Sequence, residues 1–324
     1  MKNSIKIICA GLIAIAILNI VAVVYDYTGT AVQNSSGATD LKWKANQLVT
    51  NMVEGIAYFH MDENGFNNAY PTNSDDIDIL LMGSSHMQAN QVAADENVGY
   101  LLNEMIPEWQ TYNIGINGHT IYFCLDNLEE ALEEYEPNEY VIIETMTVDM
   151  VPSEMEKVLS KTRTKTKAYT GGSYYLETYV PGANSIFRQI SIWKRQNLNN
   201  PEESENEIEE NDNRILNEML GQAAMTVENS GCKLIILYHP TLEIQRDGSV
   251  IANTNRNSLR NFKAACELNN IIFVDMTEIF LEHYESEHTL PHGFCNTAVG
   301  EGHLNAKGHK WIAEELVDVI AAEK

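Results

Sequence analysis

The sequence predicts an α/β fold in which five parallel strands lie between helices, preceded by one transmembrane helix. Three observations carry this prediction. Short runs rich in Ile, Leu and Val alternate with longer segments of helical periodicity, the pattern of a parallel sheet with helices on both faces. The strand-like runs are apolar almost throughout, as in strands covered on both sides. An apolar run near the N-terminus is long enough to cross a bilayer as a helix.

The N-terminal run, residues 7–24, contains Asn19 as its only strongly polar residue. Lys2 and Lys6 precede it and Asp26 is the first charge after it, so the positive-inside rule keeps the N-terminus in the cytoplasm and exports the rest. A cleaved signal peptide is the alternative. The length of the apolar core and the lack of a small-x-small site after it favour an uncleaved, single-pass anchor in the cell membrane.

The chain divides into three predicted parts. Residues 1–26 form the cytoplasmic tip and anchor, 27–74 a stalk and lead-in segment, and 75–324 the α/β domain. Within the lead-in segment, the sequence predicts a helix over 42–59. An insertion at about 151–212 interrupts the alternation of strands and helices. We interpret it as a lid or partner surface, with a disordered loop as the alternative.

Strands and helices alternate through the α/β domain. The predicted strands are apolar and comprise residues 77–82, 111–113, 140–144, 233–238 and 271–274. The predicted helices have apolar side chains at helical spacing and comprise residues 92–105, 121–135, 214–228, 258–268 and 306–322. This order predicts a flavodoxin-like three-layer sandwich with a five-stranded parallel sheet.

Composition excludes several classes of function. There are 46 acidic and 21 basic residues, a formal charge of −25, and such a surface repels nucleic acid. Five cysteines are too few for a disulfide framework, although a Cys232–Cys266 pair and free buried cysteines both remain open. No Asp or His pair has the i, i+4 spacing of helical metal ligands, so we predict no metal and no cofactor.

Two short motifs at opposite ends of the domain carry the chemistry. Residues 83–86, Gly-Ser-Ser-His, follow the first strand, and residues 302–309, Gly-His-Leu-Asn-Ala-Lys-Gly-His, precede the last helix. A turn carrying serines at the end of a buried strand is where an α/β protein exposes a nucleophile. A distant histidine at a strand-to-helix junction can supply its base, so the pair predicts acyl transfer by an activated serine.

These motifs resemble those of the SGNH, or GDSL-type, hydrolase superfamily over residues 77–150 and 232–322. The resemblance implies that Ser85 is the nucleophile, with Ser84 in place of the usual Asp. It also implies that His303 is the base.

The second family block matches residues 113–120 and puts Gly118 in the oxyanion hole beside Asn117. The backbone N–H of Gly118, together with that of Ser85, would hold the oxyanion.

The sequence departs from the family pattern at two positions. Val148 stands where a third block normally carries an Asn that donates to the oxyanion, so either Thr145 or Thr147 substitutes or the hole has two donors. Gly300 stands where the acid that orients the histidine usually lies. We therefore expect Glu301 to orient His303.

The remaining polar residues near the motifs have structural interpretations. We expect His86 and His119 to be structural, His239 to lie in a turn at the rim of the site, and His309 to cap or pack the last helix. Asp275 is expected to end a strand rather than act as the acid.

The resemblance implies a membrane-anchored, extracytoplasmic serine esterase or O-acyltransferase. Its expected substrates are acyl esters, chiefly acetyl esters, of a cell-surface or secreted polysaccharide. A multispanning membrane O-acyltransferase is a candidate partner. The alternative is a catalytically inactive carbohydrate-binding or scaffold protein on the same fold.

Overall fold

A computed structural model describes residues 2–25, 33–34, 38–39, 41–69, 76–162 and 210–323. The helices of these ranges are α1 (Lys2–Tyr25), α2 (Ser85–Gln88), α3 (Val98–Met105), α4 (Ile121–Asp126), α5 (Leu128–Tyr135), α6 (Pro152–Ser160), α7 (Glu210–Asn229), α8 (Arg256–Leu268), α9 (Thr277–Glu287) and α10 (Ala306–Ala322). The strands are β1 (Gln33–Asn34), β2 (Leu41–Lys42), β3 (Leu48–Asn51), β4 (Ala57–His60), β5 (Ile79–Met82), β6 (Thr111–Asn113), β7 (Tyr140–Thr145), β8 (Lys233–Tyr238), β9 (Thr241–Ile244), β10 (Val250–Asn253), β11 (Ile272–Asp275), β12 (His292–Gly293) and β13 (Val299–Leu304).

The central sheet has five strands in the spatial order β6–β5–β7–β8–β11, and every neighbouring pair is parallel. Numbered along the chain, this order is 2-1-3-4-5, the flavodoxin-like order. The predicted fold class is therefore confirmed. The strand order reverses beside β5, and ligands of such sheets bind at the carboxyl ends of the strands next to this reversal.

Alternate side chains of the strands build two separate cores, because successive residues of a strand point to opposite faces. On one face Leu80 and Val141 pack with helices α4, α5, α7 and α8. On the other face Ile79 and Ile142 pack with α3, α9 and α10. Helices on both faces give the predicted three layers and leave the carboxyl edge of the sheet to the loops.

The predicted helix over 42–59 is wrong, because β3 and β4 form an antiparallel hairpin there. In β4, Ala57 and Phe59 are buried while Tyr58 and His60 are exposed. This period of two is that of a strand with one buried face. Gly55 makes the turn with a φ of +74°, a conformation that favours glycine.

The strand that carries His303 does not belong to the central sheet. Residue His303 lies in β13, which pairs antiparallel with β12 in a separate two-stranded ribbon, and α10 follows directly. His303 therefore lies at a strand-to-helix junction, as expected, but its strand is not part of the parallel sheet. The β9–β10 hairpin and α9 are likewise absent from the predicted elements.

Helix α1 contains the 18-residue window Ser4–Val21, which has a mean hydropathy of 2.4 and no buried residue. It is the one helix in the described ranges that is long and apolar enough to cross a membrane. Length and composition fit either a membrane anchor or a signal sequence.

No disulfide joins the described cysteines of the α/β domain. Cys232 and Cys266 are buried and unpaired, and the Cys232 thiol donates to the Pro137 carbonyl at 2.9 Å.

Of the predicted insertion at 151–212, α6 and the start of α7 are described, and the interpretation of residues 163–209 lies outside the described ranges.

Candidate active site

The candidate nucleophile stands where β5 ends and α2 begins. Ser84 is the N-cap of α2, its hydroxyl accepts the His86 N–H at 3.3 Å, and Ser85 is the first helical residue. The turn lies at the carboxyl edge of the sheet, beside the reversal in strand order. Ser85 is partly exposed, so an incoming substrate can reach its hydroxyl.

Ser85 and His303 are in hydrogen-bond contact although they lie 218 residues apart. The Ser85 Oγ and the His303 Nε2 are 2.9 Å apart. This distance lies in the range expected between a nucleophile and its general base. The structure therefore brings together the two residues that the sequence motifs single out.

The carboxylate that orients His303 is Glu54. Its Oε2 lies 2.8 Å from the His303 Nδ1, and its Oε1 accepts the main-chain N–H of the same residue at 2.8 Å. Glu301, the residue expected in this role, has an exposed side chain, and that expectation is wrong. Glu301 lies two residues before His303 in β13 and its side chain is exposed, whereas the loop of the β3–β4 hairpin brings Glu54 against the imidazole.

Two asparagines hold the loop that carries Glu54. The Asn51 Oδ1 accepts the N–H of Val53 at 3.1 Å, and its Nδ2 donates to the Asn90 carbonyl at 2.9 Å. Asn296 accepts the Gly55 N–H at 3.0 Å and donates to the Gly55 carbonyl at 2.9 Å. The hairpin is thereby tied both to the segment after α2 and to the loop before β13.

Gly302 is required because Glu54 approaches the backbone at this point. A Cβ on Gly302 would lie 2.2 Å from the Glu54 Oε1, and its φ of +86° favours glycine. The Gly-His pair is therefore one unit, in which the glycine admits the carboxylate and the histidine binds it.

Two backbone N–H groups near the nucleophile are available to an oxyanion. Among the described residues, no acceptor takes the N–H of Ser85 or of Gly118. The loop that carries Gly118 runs along the nucleophile turn, since the Ile116 N–H donates to the Gly83 carbonyl at 3.1 Å. The predicted pair of donors is compatible with this geometry.

Asn117 and Thr147, the other two predicted binding residues, are both exposed. The Asn117 N–H donates to the Gln88 Oε1 at 3.3 Å, so its backbone is already used. The Thr147 N–H donates to the Thr145 Oγ1 at 3.2 Å, and the Thr147 hydroxyl donates to Asp149 at 3.3 Å. As the loop stands, the Thr147 donors serve the loop itself, and Val148 is buried.

A fully buried carboxylate, Glu144, lies directly behind the nucleophile turn. Its Oε2 accepts the Ser84 N–H at 2.8 Å and the Ser84 hydroxyl at 2.9 Å, and its Oε1 lies 2.9 Å from the His239 Nε2. Burial alone would raise the pKa of Glu144, but the hydrogen bond and charge of His239 outweigh it and hold this pKa below its usual value. In the sequence, the feature that could have drawn attention to Glu144 is a single charged residue at the end of an apolar strand.

His86 links the nucleophile turn to the strand that carries the base. Its Nδ1 accepts the Leu304 N–H at 3.2 Å, and its Nε2 lies 3.2 Å from the Met146 sulfur. Because Nδ1 accepts, the ring is neutral with its proton on Nε2. Burial, followed by the nearby His239, holds the pKa of His86 well below its usual value.

Three buried histidines could also hold a metal ion. His86, His239 and His292 bring ring nitrogens within 4.8 Å of one another, and imidazole is a common zinc ligand. They come from three separate segments, so helical spacing in the sequence could not reveal them. The Nδ1 of His86 is taken by the Leu304 N–H, and a metal there would have to displace that bond. Contacts within the protein account for both ring nitrogens of His86 and of His239, whereas the buried Nδ1 of His292 has no hydrogen-bond partner.

The other predicted structural residues fall where expected. His119 stacks on Phe123 with ring centroids 3.7 Å apart, and His309 is fully packed within α10. Asp275 ends β11 and accepts the N–H of Thr277 at 3.0 Å. His239 is completely buried, so its expected place at the rim of the site is wrong.

No protein-family model and none of the curated proteins matches this sequence. Comparison with solved structures gives 42 matching chains, among them proteins described as SGNH or G-D-S-L hydrolases and lipolytic proteins.

Three matches illustrate the likeness. The acetyl xylan esterase AlAXEase is 12% identical, with a TM-score of 0.42 over 75% of this chain and 98% of that one. The psychrotrophic esterase EstA from Pseudoalteromonas sp. is 18% identical, with a TM-score of 0.38 over 75% and 96%. A member of the lipolytic G-D-S-L family from Veillonella parvula is 14% identical, with a TM-score of 0.42 over 75% and 97%. Likeness at this level carries no conclusion about activity.

Proposed function

We propose that this protein is a serine esterase or O-acyltransferase whose catalytic triad is Ser85, His303 and Glu54. The observation that carries the proposal is the unbroken chain of contacts from the Ser85 hydroxyl through the His303 ring to the Glu54 carboxylate, at 2.9 and 2.8 Å. The carboxylate fixes the tautomer. With Nδ1–H donating to Glu54, the Nε2 lone pair faces the serine and can accept its proton.

The reaction proceeds in two halves. Ser85 Oγ attacks the ester carbonyl while its proton passes to His303 Nε2, and the Ser85 and Gly118 N–H groups bind the oxyanion. The leaving alcohol then takes the proton from His303, which leaves an acyl-serine. Water or a sugar hydroxyl gives its proton to His303 and attacks the acyl-serine, and the proton returns to Ser85. Water makes the protein an esterase, and a sugar hydroxyl makes it a transferase.

The proposed substrates are acetyl esters of a cell-surface or secreted polysaccharide. The proposal rests on the resemblance of the motifs to SGNH proteins of polysaccharide acylation. The apolar helix α1 would act as a single-pass anchor with the α/β domain outside the cytoplasm. A multispanning membrane O-acyltransferase is the proposed partner, which would supply or receive the acyl group.

One observation favours a second candidate, an inactive carbohydrate-binding scaffold. The residue at the position of the third oxyanion donor is Val148, and the donors of its neighbour Thr147 are used within the loop. Losing one donor typically lowers turnover by ~10²–10³-fold. The scaffold predicts binding to the polysaccharide without turnover.

Acetylated xylo-oligosaccharides, incubated with the full-length chain in detergent, separate these possibilities. Free acetate identifies an esterase, and acetyl transfer to an added unacetylated oligosaccharide identifies a transferase. Ser85→Ala should abolish both products. If the wild type and Ser85→Ala bind the oligosaccharide equally and neither forms product, the scaffold is correct and the enzyme proposal fails.

A further inference from the structure

The proposed mechanism makes no use of the fully buried carboxylate of Glu144. Its side chain has no solvent exposure and lies near the end of β7, the strand beside β5. A buried charge is costly unless it is paired and hydrogen-bonded. Glu144 receives three donors, two from Ser84 and one from His239. The site is therefore built around an anion at this position.

Glu144 explains the residue types of the nucleophile turn. A Cβ at Gly83 would lie 2.6 Å from the Glu144 Oε2, so only glycine leaves room for the carboxylate. The next residue, Ser84, gives both its N–H and its hydroxyl proton to the same oxygen. An aspartate at position 84, the residue usual in the family that this turn resembles, would put a second carboxylate against the first. Like charges at such a distance cannot both be ionised cheaply.

The second oxygen of Glu144 connects to the ribbon that carries the base. The His239 Nε2 lies 2.9 Å from Glu144, and its Nδ1 lies 3.3 Å from the His292 Nε2. His292 in turn pairs with Leu304 in the β12–β13 ribbon, one residue after His303. The Leu304 N–H returns to His86 in the nucleophile turn.

These contacts form a closed circuit. Its members are joined by side-chain or strand-pair contacts and are Ser84, Glu144, His239, His292, Leu304 and His86. The His86 N–H closes the circuit on the Ser84 hydroxyl, so the circuit contains both chain neighbours of Ser85 and also Leu304, the residue after His303.

We propose that Glu144 is a positioning residue, which sets Ser85 against His303 by holding the nucleophile turn through Ser84 and the base ribbon through His239 and His292. The inference rests on the proposed serine mechanism. Glu144 touches no reacting atom and acts only through these contacts.

Charge substitution at the two ends of the Ser84–Glu144 contact tests the proposal. Ser84→Asp alone should lower kcat by ~10²-fold, the scale of a 1 Å misplacement, because two carboxylates meet. Adding Glu144→Gln should recover at least tenfold, because a single carboxylate remains and the amide can donate to it. Ser84→Thr, which keeps both donors, should stay within a few-fold of the wild type. KM should change little throughout.

Controls separate positioning from folding. Thermal unfolding of each variant shows whether the protein is folded, and the exposed glutamate in Glu267→Gln gives the effect of the same substitution at the surface, expected to be none. The proposal is overturned if Ser84→Asp retains full kcat, or if adding Glu144→Gln lowers kcat further.

A readout that needs no ester keeps this inference separate from the proposed function. The ¹⁵N resonance of His303 Nε2 reports the hydrogen bond to Ser85. It should shift in Ser84→Asp and return toward the wild-type value in the double variant. If the wild type turns over no ester, the proposed function fails, but this pattern would still support the positioning role. An unshifted resonance in every variant would refute it.

Discussion

Glu54 binds His303 through both of its carboxylate oxygens. One contacts the main-chain N–H and the other the imidazole Nδ1, each at 2.8 Å. The two residues lie 249 positions apart, on a hairpin loop and on a separate two-stranded ribbon. The acid of the proposed triad thus comes from the segment between the apolar helix and the α/β domain, not from the strand that carries the base.

Glu54→Gln should lower kcat for p-nitrophenyl acetate by up to ~10⁴-fold. If the oxygen of the new amide keeps the His303 N–H, the amide nitrogen must face Nδ1 as a donor. That arrangement forces the ring proton of His303 onto Nε2. The protonated Nε2 can then no longer accept the proton of Ser85. The matched control is Glu301→Gln, which removes the exposed carboxylate and should change kcat by less than twofold. The reverse order of effects would return Glu301 to the role of acid.

Gly302→Ala should disrupt the site through a clash with the Glu54 Oε1. Gly248→Ala is a matched control, because Gly248 has the same φ of +86° but open space around its Cβ position. Both substitutions should lower the free energy of unfolding by ~1–2 kcal/mol, from the left-handed backbone. Only Gly302→Ala should lower kcat by more than tenfold. Equal activity of the two variants, measured beside their denaturation curves, would argue against a close Glu54 contact.

Asn296→Ala should lower kcat by about tenfold with little change in KM, on the scale of a modest misplacement of the acid. The substitution removes the bonds to Gly55 and Met52 that hold the Glu54 loop, but leaves Glu54 itself. Asn296 is exposed, so the variant should fold normally. Steady-state kinetics of Asn296→Ala and Glu54→Gln, measured side by side, checks that Asn296→Ala has the smaller loss in kcat. A loss as large as that of Glu54→Gln would mean that Asn296 does more than position the loop.

The stability of the protein should fall as pH drops below about 6.5, the ordinary value for histidine. Burial lowers the pKa of His86 and His292 well below that value and that of His309 to about 3. Below pH ~6.5 these histidines bind protons in the unfolded chain but not in the folded one. Their contribution to the free energy of unfolding is therefore complete above that pH and is lost progressively as the pH falls below it. Each contributes up to ~1.4 kcal/mol per pH unit.

Denaturant unfolding between pH 6.5 and 5 measures how steeply the free energy of unfolding falls with pH, in a range where Glu144 stays mostly ionised in both states. His309→Gln should reduce it by ~1.4 kcal/mol per pH unit, because one linked proton is removed. His60→Gln, at an exposed position, should leave it unchanged. An unchanged slope in His309→Gln would show that His309 is protonated in the folded protein.

The sequence predicts the parts of the fold that local pattern controls. The five sheet strands are apolar runs, and their alternation with helices is enough to predict the flavodoxin-like order. Local pattern was misleading at residues 42–59, where Gly55 and the buried pair Ala57 and Phe59 specify a hairpin. The ribbon of β12 and β13 is short and rich in glycine, so it carries little strand signal.

Local sequence pattern likewise identifies some residues of the site and not others. Ser85 and His303 lie in motifs that can be read locally, and the structure joins them. Glu54 has no such motif, because its role depends on a loop packing against a ribbon at the far end of the chain. Glu144 could be noticed as a charge ending an apolar strand, but its partners Ser84 and His239 are set by the neighbouring strands of the sheet.

Covalent labelling by a fluorophosphonate tests the proposed triad most directly. Such a probe reacts with a serine only when a base takes its proton, so intact mass and peptide mapping of the full-length chain report an activated hydroxyl. We expect one label, on Ser85, in the wild type. It should be lost in Ser85→Ala and strongly slowed in His303→Ala and Glu54→Gln. It should be retained on Ser85 in Ser84→Ala, at a lower rate, because that variant keeps only the backbone N–H bond to Glu144. A label on another serine, or none on the folded protein, would contradict the proposed triad.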